Sequence, residues 1–203
     1  GIRYSLFEDG LILNAAIFDL RKQDIAVTDP ASGALPANEQ WSANLGETRT
    51  RGFEFQAVGR VTSAFRLIAG YAYLDNELLV VDPAFAGQEG NRLPGIPEHS
   101  GSLWGVYEFQ DGPLRGLGLG LGTFAQTDIF ASTENRAEYG GWVQLDAMAY
   151  YKRDRWKLQV NVRNFTGREY NLAQALTTTD SFAAIRVGTS SPLQVNGSLS
   201  YEF

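Results

Sequence analysis

The last twelve residues, Pro192 to Phe203, alternate without a break. Leu193, Val195, Gly197, Leu199, Tyr201 and Phe203 fall on one face of an extended chain, and Gln194, Asn196, Ser198, Ser200 and Glu202 on the other. Successive side chains of a strand point to opposite faces, so this is a strand with one apolar and one wet face. A strand of a soluble sandwich carries the same alternation. Here the pattern runs to the final residue and ends on two aromatics, Tyr201 and Phe203, which suits the aromatic girdle of a membrane barrel.

The 203 residues are 44% hydrophobic, with a mean hydropathy of -0.20 and no long apolar run, which excludes a transmembrane helix. Barrel strands escape that test because only every second residue faces lipid. The net charge of -6 argues against nucleic acid as a partner. The absence of cysteine removes disulfides, thiolate metal sites and thiol catalysis, and the single histidine, His99, cannot form a histidine cluster. The chain opens on the strand-like run Gly1 to Leu6, with no initiator methionine and no charged or apolar leader. Either a signal peptide has been removed or, the preferred expectation, this is the C-terminal portion of a longer polypeptide that begins partway through its barrel.

The same period returns along the chain. Trp156, Leu158, Val160 and Val162 oppose Lys157, Gln159, Asn161 and Arg163. Just before them, residues 142 to 153 set Val143, Leu145, Ala147, Ala149 and Tyr151 against Gln144, Asp146, Met148, Tyr150 and Lys152, and the link Arg153-Asp154-Arg155 makes a tight hairpin. Leu117, Leu119 and Leu121 alternate with Gly116, Gly118, Gly120 and Gly122. Four glycines on one face point to a bend or to close approach of another segment, such as a domain filling a lumen. Further strands are expected at about 11 to 27, 46 to 61, 65 to 80 and 99 to 110, which with the N-terminal stub gives about nine.

Connections alternate in length. Phe7 to Gly10, Thr62 to Ala64, Gln110 to Leu114 and the Arg153 region are short, whereas 28 to 40, 81 to 98, 129 to 138 and 167 to 191 are long. Short turns at one end and long loops at the other is the polarity of an outer-membrane barrel, and it brings Phe203 to the periplasmic rim. Expected strands of about fifteen residues exceed the ~9 to 11 that span hydrocarbon, so some project above the membrane as a wall.

Four stretches then carry a resemblance: Asn91 to Phe109 (NRLPGIPEHSGSLWGVYEF), Arg49 to Tyr73, Asn161 to Asn171 (NVRNFTGREYN) and the terminal GSLSYEF. In this order, over nearly the whole chain, they resemble the C-terminal barrel half of TonB-dependent siderophore receptors, most closely those that take up ferric hydroxamates. Departures exist. The family's Asn-Leu-Phe-Asp/Asn-Lys-x-Tyr run appears as Asn164 to Tyr170 with changed polar residues, Ser190 to Leu193 lack the arginine of a Gly-x-Pro-Arg, and Ser198 stands where the assembly signal usually has glycine.

The resemblance implies an all-β, antiparallel transmembrane barrel of 22 strands, of which residues 1–203 supply about nine C-terminal ones, in the bacterial outer membrane. It implies a plug domain and a TonB-contacting segment, both outside this chain, and energised uptake of a ferric siderophore. The implied partners are that chelate, the TonB complex, the barrel-assembly machinery and outer-membrane lipid. No cofactor is implied, and no protein iron ligands, because the iron arrives chelated.

A siderophore is bulky and presents carbonyl or aromatic groups, so loop aromatics and arginines are the candidates for contact: Phe85, Arg92, Phe130, Arg136, Tyr139 and Phe182. For Arg92 a loop-ordering role is the favoured reading over chelate contact, as is a girdle role for Trp41, Tyr139 and Trp142. His99 is assigned a structural or lumenal hydrogen-bonding role. Leu199, Tyr201 and Phe203 form the expected membrane-assembly signal. Asp24, Asp29 and Glu39 lack calcium-loop spacing, and the family reading implies no catalytic residue.

Three alternatives stand beside the receptor: a passive porin or small closed barrel of eight to ten strands, an outer-membrane hydrolase, and a soluble sandwich. A hydrolase needs a positioned nucleophile and base, and Ser100 is merely the sequence neighbour of His99.

Overall fold

The structure is a computed structural model and describes residues 1–7, 10–32, 35–173 and 187–203. Nine antiparallel strands form one sheet in chain order: β1 (Ile2–Leu6), β2 (Leu11–Lys22), β3 (Gly46–Arg60), β4 (Phe65–Val81), β5 (His99–Glu108), β6 (Leu117–Gln126), β7 (Trp142–Arg153), β8 (Trp156–Arg163) and β9 (Gln194–Tyr201). These are the strands that the alternation predicts, with moved ends. β2 stops at Lys22 rather than near 27, because Asp24 adopts φ 54°, a left-handed conformation that breaks the ladder. Asn44 Nδ2 donates to Asp24 Oδ1 at 3.0 Å, and Ala26–Thr28 pairs with Ser42–Asn44 in a separate ribbon. The Leu/Gly strand continues to Gln126. Two further ribbons, Ile129–Phe130 with Glu138–Tyr139 and Asn171–Ala173 with Val187–Thr189, stand in the third and fourth long loops.

The register sorts the side chains into two faces. One row reads Leu13, Ala57, Ala69, Leu103, Thr123 and Leu145 across six strands; the row one residue away reads Asn14, Gln56, Gly70, Ser102, Phe124 and Gln144. The first face is a continuous apolar sheet left open: Ile17 is 84% exposed, Leu121 61% and Leu199 65%. A patch of this extent is an interface, and hydrocarbon is the environment in which it carries no cost. The polar face bounds a hollow of about 610 Å³ lined by Asn14, Ala16, Glu54, Gln56 and Ser102, with Phe124 reaching in from β6.

Aromatic rings mark both edges of the apolar band. At the loop end Phe53, Tyr71, Tyr73 and His99 pack with centroids 5.1 to 6.4 Å apart, and Tyr71 Oη lies 2.7 Å from His99 Nδ1. At the turn end Tyr107 meets Phe109 at 5.2 Å, and Tyr201 meets Trp156 at 4.8 Å and Phe203 at 5.1 Å. From Phe65 to Tyr73 is nine residues, in the range of ~9 to 11 that span hydrocarbon. His99 is thus paired with Tyr73 on the apolar face and is a girdle residue rather than a lumenal one. Trp142 moves the other way: it pairs with Gln126 on the polar face and points inward, not to the girdle. Trp41 lies in the first long loop beyond the strands. β3 and β4, with 15 and 17 residues, run past the upper ring as a wall.

The glycine row of β6 is covered by its neighbours' side chains. A Cβ at Gly122 would overlap the Trp104 indole, one at Gly118 would overlap the Tyr150 ring, and one at Gly120 would sit 3.1 Å from Met148 Cε. Tyr150 is fixed there by donating to the Glu108 carboxylate, which Lys152 Nζ also meets at 2.9 Å, and by Lys152 and Lys157 over its ring. The close approach expected from the sequence is real, but two lumenal aromatics of adjacent strands supply it.

Asn164 closes β8. It is buried at φ 49°; its backbone N–H donates to Asp146 Oδ1 at 2.8 Å, and its amide donates to Arg168 O at 2.9 Å and Ser191 O at 3.0 Å. One residue thereby ties three elements: its backbone N–H holds β7, and its side chain holds the turn after β8 and the approach to β9.

Two outcomes follow for the full-length protein, read as the temperature at which the heat-modifiable folded band is lost on a gel. Gly122→Val drives a branched side chain into Trp104 and costs about 1–3 kcal/mol. Asn164→Ala leaves the Arg168 and Ser191 carbonyls without their buried amide donor, costs about 1 kcal/mol, and lowers the transition by less.

Candidate functional site

Three of the long loops are built on small cores at the open end of the sheet. Leu45, Leu78 and Phe85 form one, with Ile25, Val27, Ala43, Val81 and Leu93 packed around it; it joins the first two loops. Ile129, Ala131 and Tyr139 form another, against Ala137. A clasp then joins the second and third loops. Asn135, at φ 54°, accepts from Arg92 N at 2.7 Å and donates to Arg92 O at 2.8 Å and Ser132 O at 3.0 Å. Asn91 Nδ2 donates to Thr133 O at 2.8 Å, Gly95 N to Phe130 O at 3.0 Å, and Leu93 N to the buried Asn76 Oδ1 at 2.6 Å.

This architecture distributes the six loop residues expected at a chelate. Phe85 and Tyr139 are buried in the two cores, at 6% and 7% exposure, and shape the loops. Arg92 pairs with Glu98 at 3.2 Å and lies 5.9 Å over the Phe130 ring, so these two complete the clasp. Arg136 projects outward, its side chain 83% exposed and 3.2 Å from Glu134. Phe182 lies outside the described residues. Leu199, Tyr201 and Phe203 stand exposed on the apolar face.

A different group converges on the inner wall. Trp142, at the loop end of β7, stacks between Tyr170 at 4.3 Å, tilted 12°, and Phe124 at 5.4 Å, tilted 21°. Gln144 and Asp146 follow on the same face of β7, with Gln144 Nε2 donating to Asp146 Oδ1 at 2.8 Å. Tyr170 donates its hydroxyl to Gln144 Oε1 and is held through its backbone N–H by Ser190 Oγ at 3.1 Å. Burial pushes the Tyr170 phenol up from its ordinary pKa, and the Asp146 carboxylate adds to the rise, so it remains a protonated donor. These residues, with Arg163, Asn164 and Pro192, line a pocket of about 340 Å³, the size of a small-molecule subsite. The buried indole Nε1 of Trp142 has no hydrogen-bond partner among the described residues.

The pocket offers flat apolar faces, a donor in need of an acceptor, a carboxylate and a guanidinium. It suits a planar or carbonyl-bearing solute rather than a bare ion, and among the described residues no group of three or more His, Cys, Asp or Glu side chains gathers to hold a metal. The alternation places Gln144 and Asp146 on the wet face; Trp142, read as a girdle residue, shares their parity and turns inward with them. Tyr170 was invisible to the alternation, because a loop residue reaches this wall only through the Asn164 and Ser190 contacts.

Residues 1–165 match the family model described as TonB dependent receptor-like, beta-barrel. The chain is 34% identical over 172 residues to the metal-pseudopaline receptor CntO of Pseudomonas aeruginosa (strain UCBPP-PA14), covering 84% of this chain and 23% of that protein. It is 28% identical over 175 residues to the ferrichrome outer membrane transporter/phage receptor of Escherichia coli (strain K12), covering 84% and 22%. The crystal structure of the siderophore receptor PiuA from Acinetobacter baumannii superimposes with a TM-score of 0.77 at 25% identity, over 98% of this chain and 27% of that one. The chain thus spans about a quarter of these relatives, which are receptors and transporters rather than enzymes. Its open nine-stranded sheet is part of an outer-membrane barrel, and the chain belongs to the TonB dependent receptor-like β-barrel family.

Proposed function

We propose that the full-length protein takes up ferric siderophores across the outer membrane in a TonB-dependent, energised step, with hydroxamates as the first class. The observation that carries this is the aromatic and polar pocket of Phe124, Trp142 and Tyr170 on the inner wall, below loops clasped into one unit. The similarity to the ferrichrome transporter supports the hydroxamate class; the similarity to the pseudopaline receptor makes other metal chelates the natural comparison set. Arg136 meets the chelate first at the mouth, Phe85 and Tyr139 set the loop shape around it, and the Arg92–Phe130 clasp holds that shape. Phe182, outside the described residues, is a further chelate contact in this reading.

A plug domain in the upstream part of the full-length protein fills the lumen and contacts TonB. Its support here is an apolar row on the inner face: Ile12, Val58, Ile68 and Trp104 are register partners on four strands, and Ile68 is 50% exposed. A water-filled pore gains nothing from such a row, whereas a packed domain buries it. Leu199, Tyr201 and Phe203 are the segment read by the barrel-assembly machinery.

Cells carrying the full-length gene accumulate one labelled ferric siderophore, hydroxamates tested first, only with a working TonB and a proton gradient. Energy-independent leakage of many small solutes overturns the proposal in favour of a passive porin. In the purified full-length receptor, Trp142→Ala removes both stacked contacts and the indole donor and weakens chelate binding by about threefold to tenfold, measured by titration calorimetry, with the folded gel band retained.

A further inference from the structure

The pocket of Phe124, Trp142 and Tyr170 holds a carboxylate and a guanidinium, and only one of them is spent. Asp146 is satisfied within the wall. Gln144 Nε2 donates to its two oxygens at 2.8 and 3.0 Å, and Asn164 N donates to Oδ1 at 2.8 Å. Tyr170 steadies this arrangement by donating its hydroxyl to Gln144 Oε1. A carboxylate that accepts several hydrogen bonds keeps its charge without a cation beside it.

Arg163 is placed differently. It is the last residue of β8, and it lines the same pocket. Its register partner is Gln194, and the next pair on that face is Asn161 with Asn196, so the ladder of β8 and β9 sets no carboxylate beside it. Among the described residues its guanidinium makes no ion pair and no hydrogen bond. Its backbone is firmly held, because the adjacent Asn164 is buried and bonded to β7, to Arg168 and to Ser191. The pocket therefore presents a planar fork of unspent N–H donors, and the buried indole Nε1 of Trp142 is a second unspent donor there.

These two donors ask for different acceptors. A single carbonyl oxygen satisfies the indole. A guanidinium fork is matched by two coplanar oxygens that share a negative charge, which a carboxylate supplies. A dianionic phosphate would bring a further negative charge into the pocket that holds Asp146, a cost that a carboxylate halves.

We propose that Arg163 is a specificity-determining residue that selects ferric chelates bearing a free carboxylate arm beside their iron-binding groups. The guanidinium pairs with that carboxylate, a carbonyl of the same arm accepts from Trp142, and the aromatic faces enclose the arm. The assignment rests on the uptake function proposed above and narrows its hydroxamate class to chelates with an acidic arm.

The test uses the full-length receptor purified in detergent and two ferric probes with the same hydroxamate core, N-succinyl desferrioxamine B, which ends in a carboxylate, and N-acetyl desferrioxamine B, which does not. Titration calorimetry is expected to show the succinyl probe bound about tenfold more tightly. Arg163→Gln narrows that ratio to about twofold or less, and Arg163→Lys, which keeps the charge but not the fork, leaves an intermediate ratio. The ratio separates recognition from support of the wall, because a distorted pocket weakens both probes together. Equal binding of the two probes by the wild type, or a tenfold ratio retained in Arg163→Gln with its folded gel band, overturns the assignment and leaves the uptake function standing. A wild-type receptor that neither binds nor accumulates either probe overturns both.

Discussion

A peptide group in hydrocarbon has only another peptide group to bond to, and everything in this sheet depends on that constraint. Each strand therefore pairs along its length with its neighbour in chain order, and the ladder fixes the register. Because side chains alternate with period two, the register in turn fixes which residues meet lipid and which meet the interior. A slip of one residue in β6 would turn Leu117, Leu119 and Leu121 inward and present bare glycine to the membrane. The leucines and the ladder thus hold the same alignment from two directions.

The inner wall solves a packing problem that the outer wall does not have. Outside, lipid chains fill any hollow; inside, bulky residues must find room beside one another. Trp104 and Tyr150 do so by lying over Gly122 and Gly118, and Glu108 and Lys152 hold Tyr150 in that position. Glycine normally weakens a strand because it has nothing to pack, and here its neighbours' aromatics supply the missing contact. The same face, one turn of register higher, carries Phe124 and Trp142, so the devices that stiffen the wall and those that line the pocket are continuous.

Above the membrane, water can satisfy backbone groups and the ladder loses its monopoly. The first three long loops are instead held by compact apolar cores and by asparagines in left-handed or buried positions: Asn135 joins the second loop to the third, and Asn76 anchors the second to β4. The fourth is tied at its base by Asn164. Three asparagine side chains thereby convert flexible connections into a shaped rim over the inner pocket.

Alternation alone determined the nine strands, their pairing in chain order, the apolar band and the ends at which turns and loops lie, because a period of two is a local property that any stretch of strand displays. It also marked Gln144 and Asp146 as inward-facing. Trp142 was misjudged where proximity to a strand end was weighed above parity, His99 keeps a structural hydrogen bond but on the girdle side rather than in the lumen, and β2 was stretched through Asp24, whose left-handed φ is a tertiary choice supported by Asn44. Only the folded structure decided that Phe85 and Tyr139 are loop cores, that Arg92 and Phe130 clasp, and that Tyr170 stacks on Trp142. Those contacts join residues far apart in the chain, and nothing in a strand's local pattern records which loop will fold over which wall.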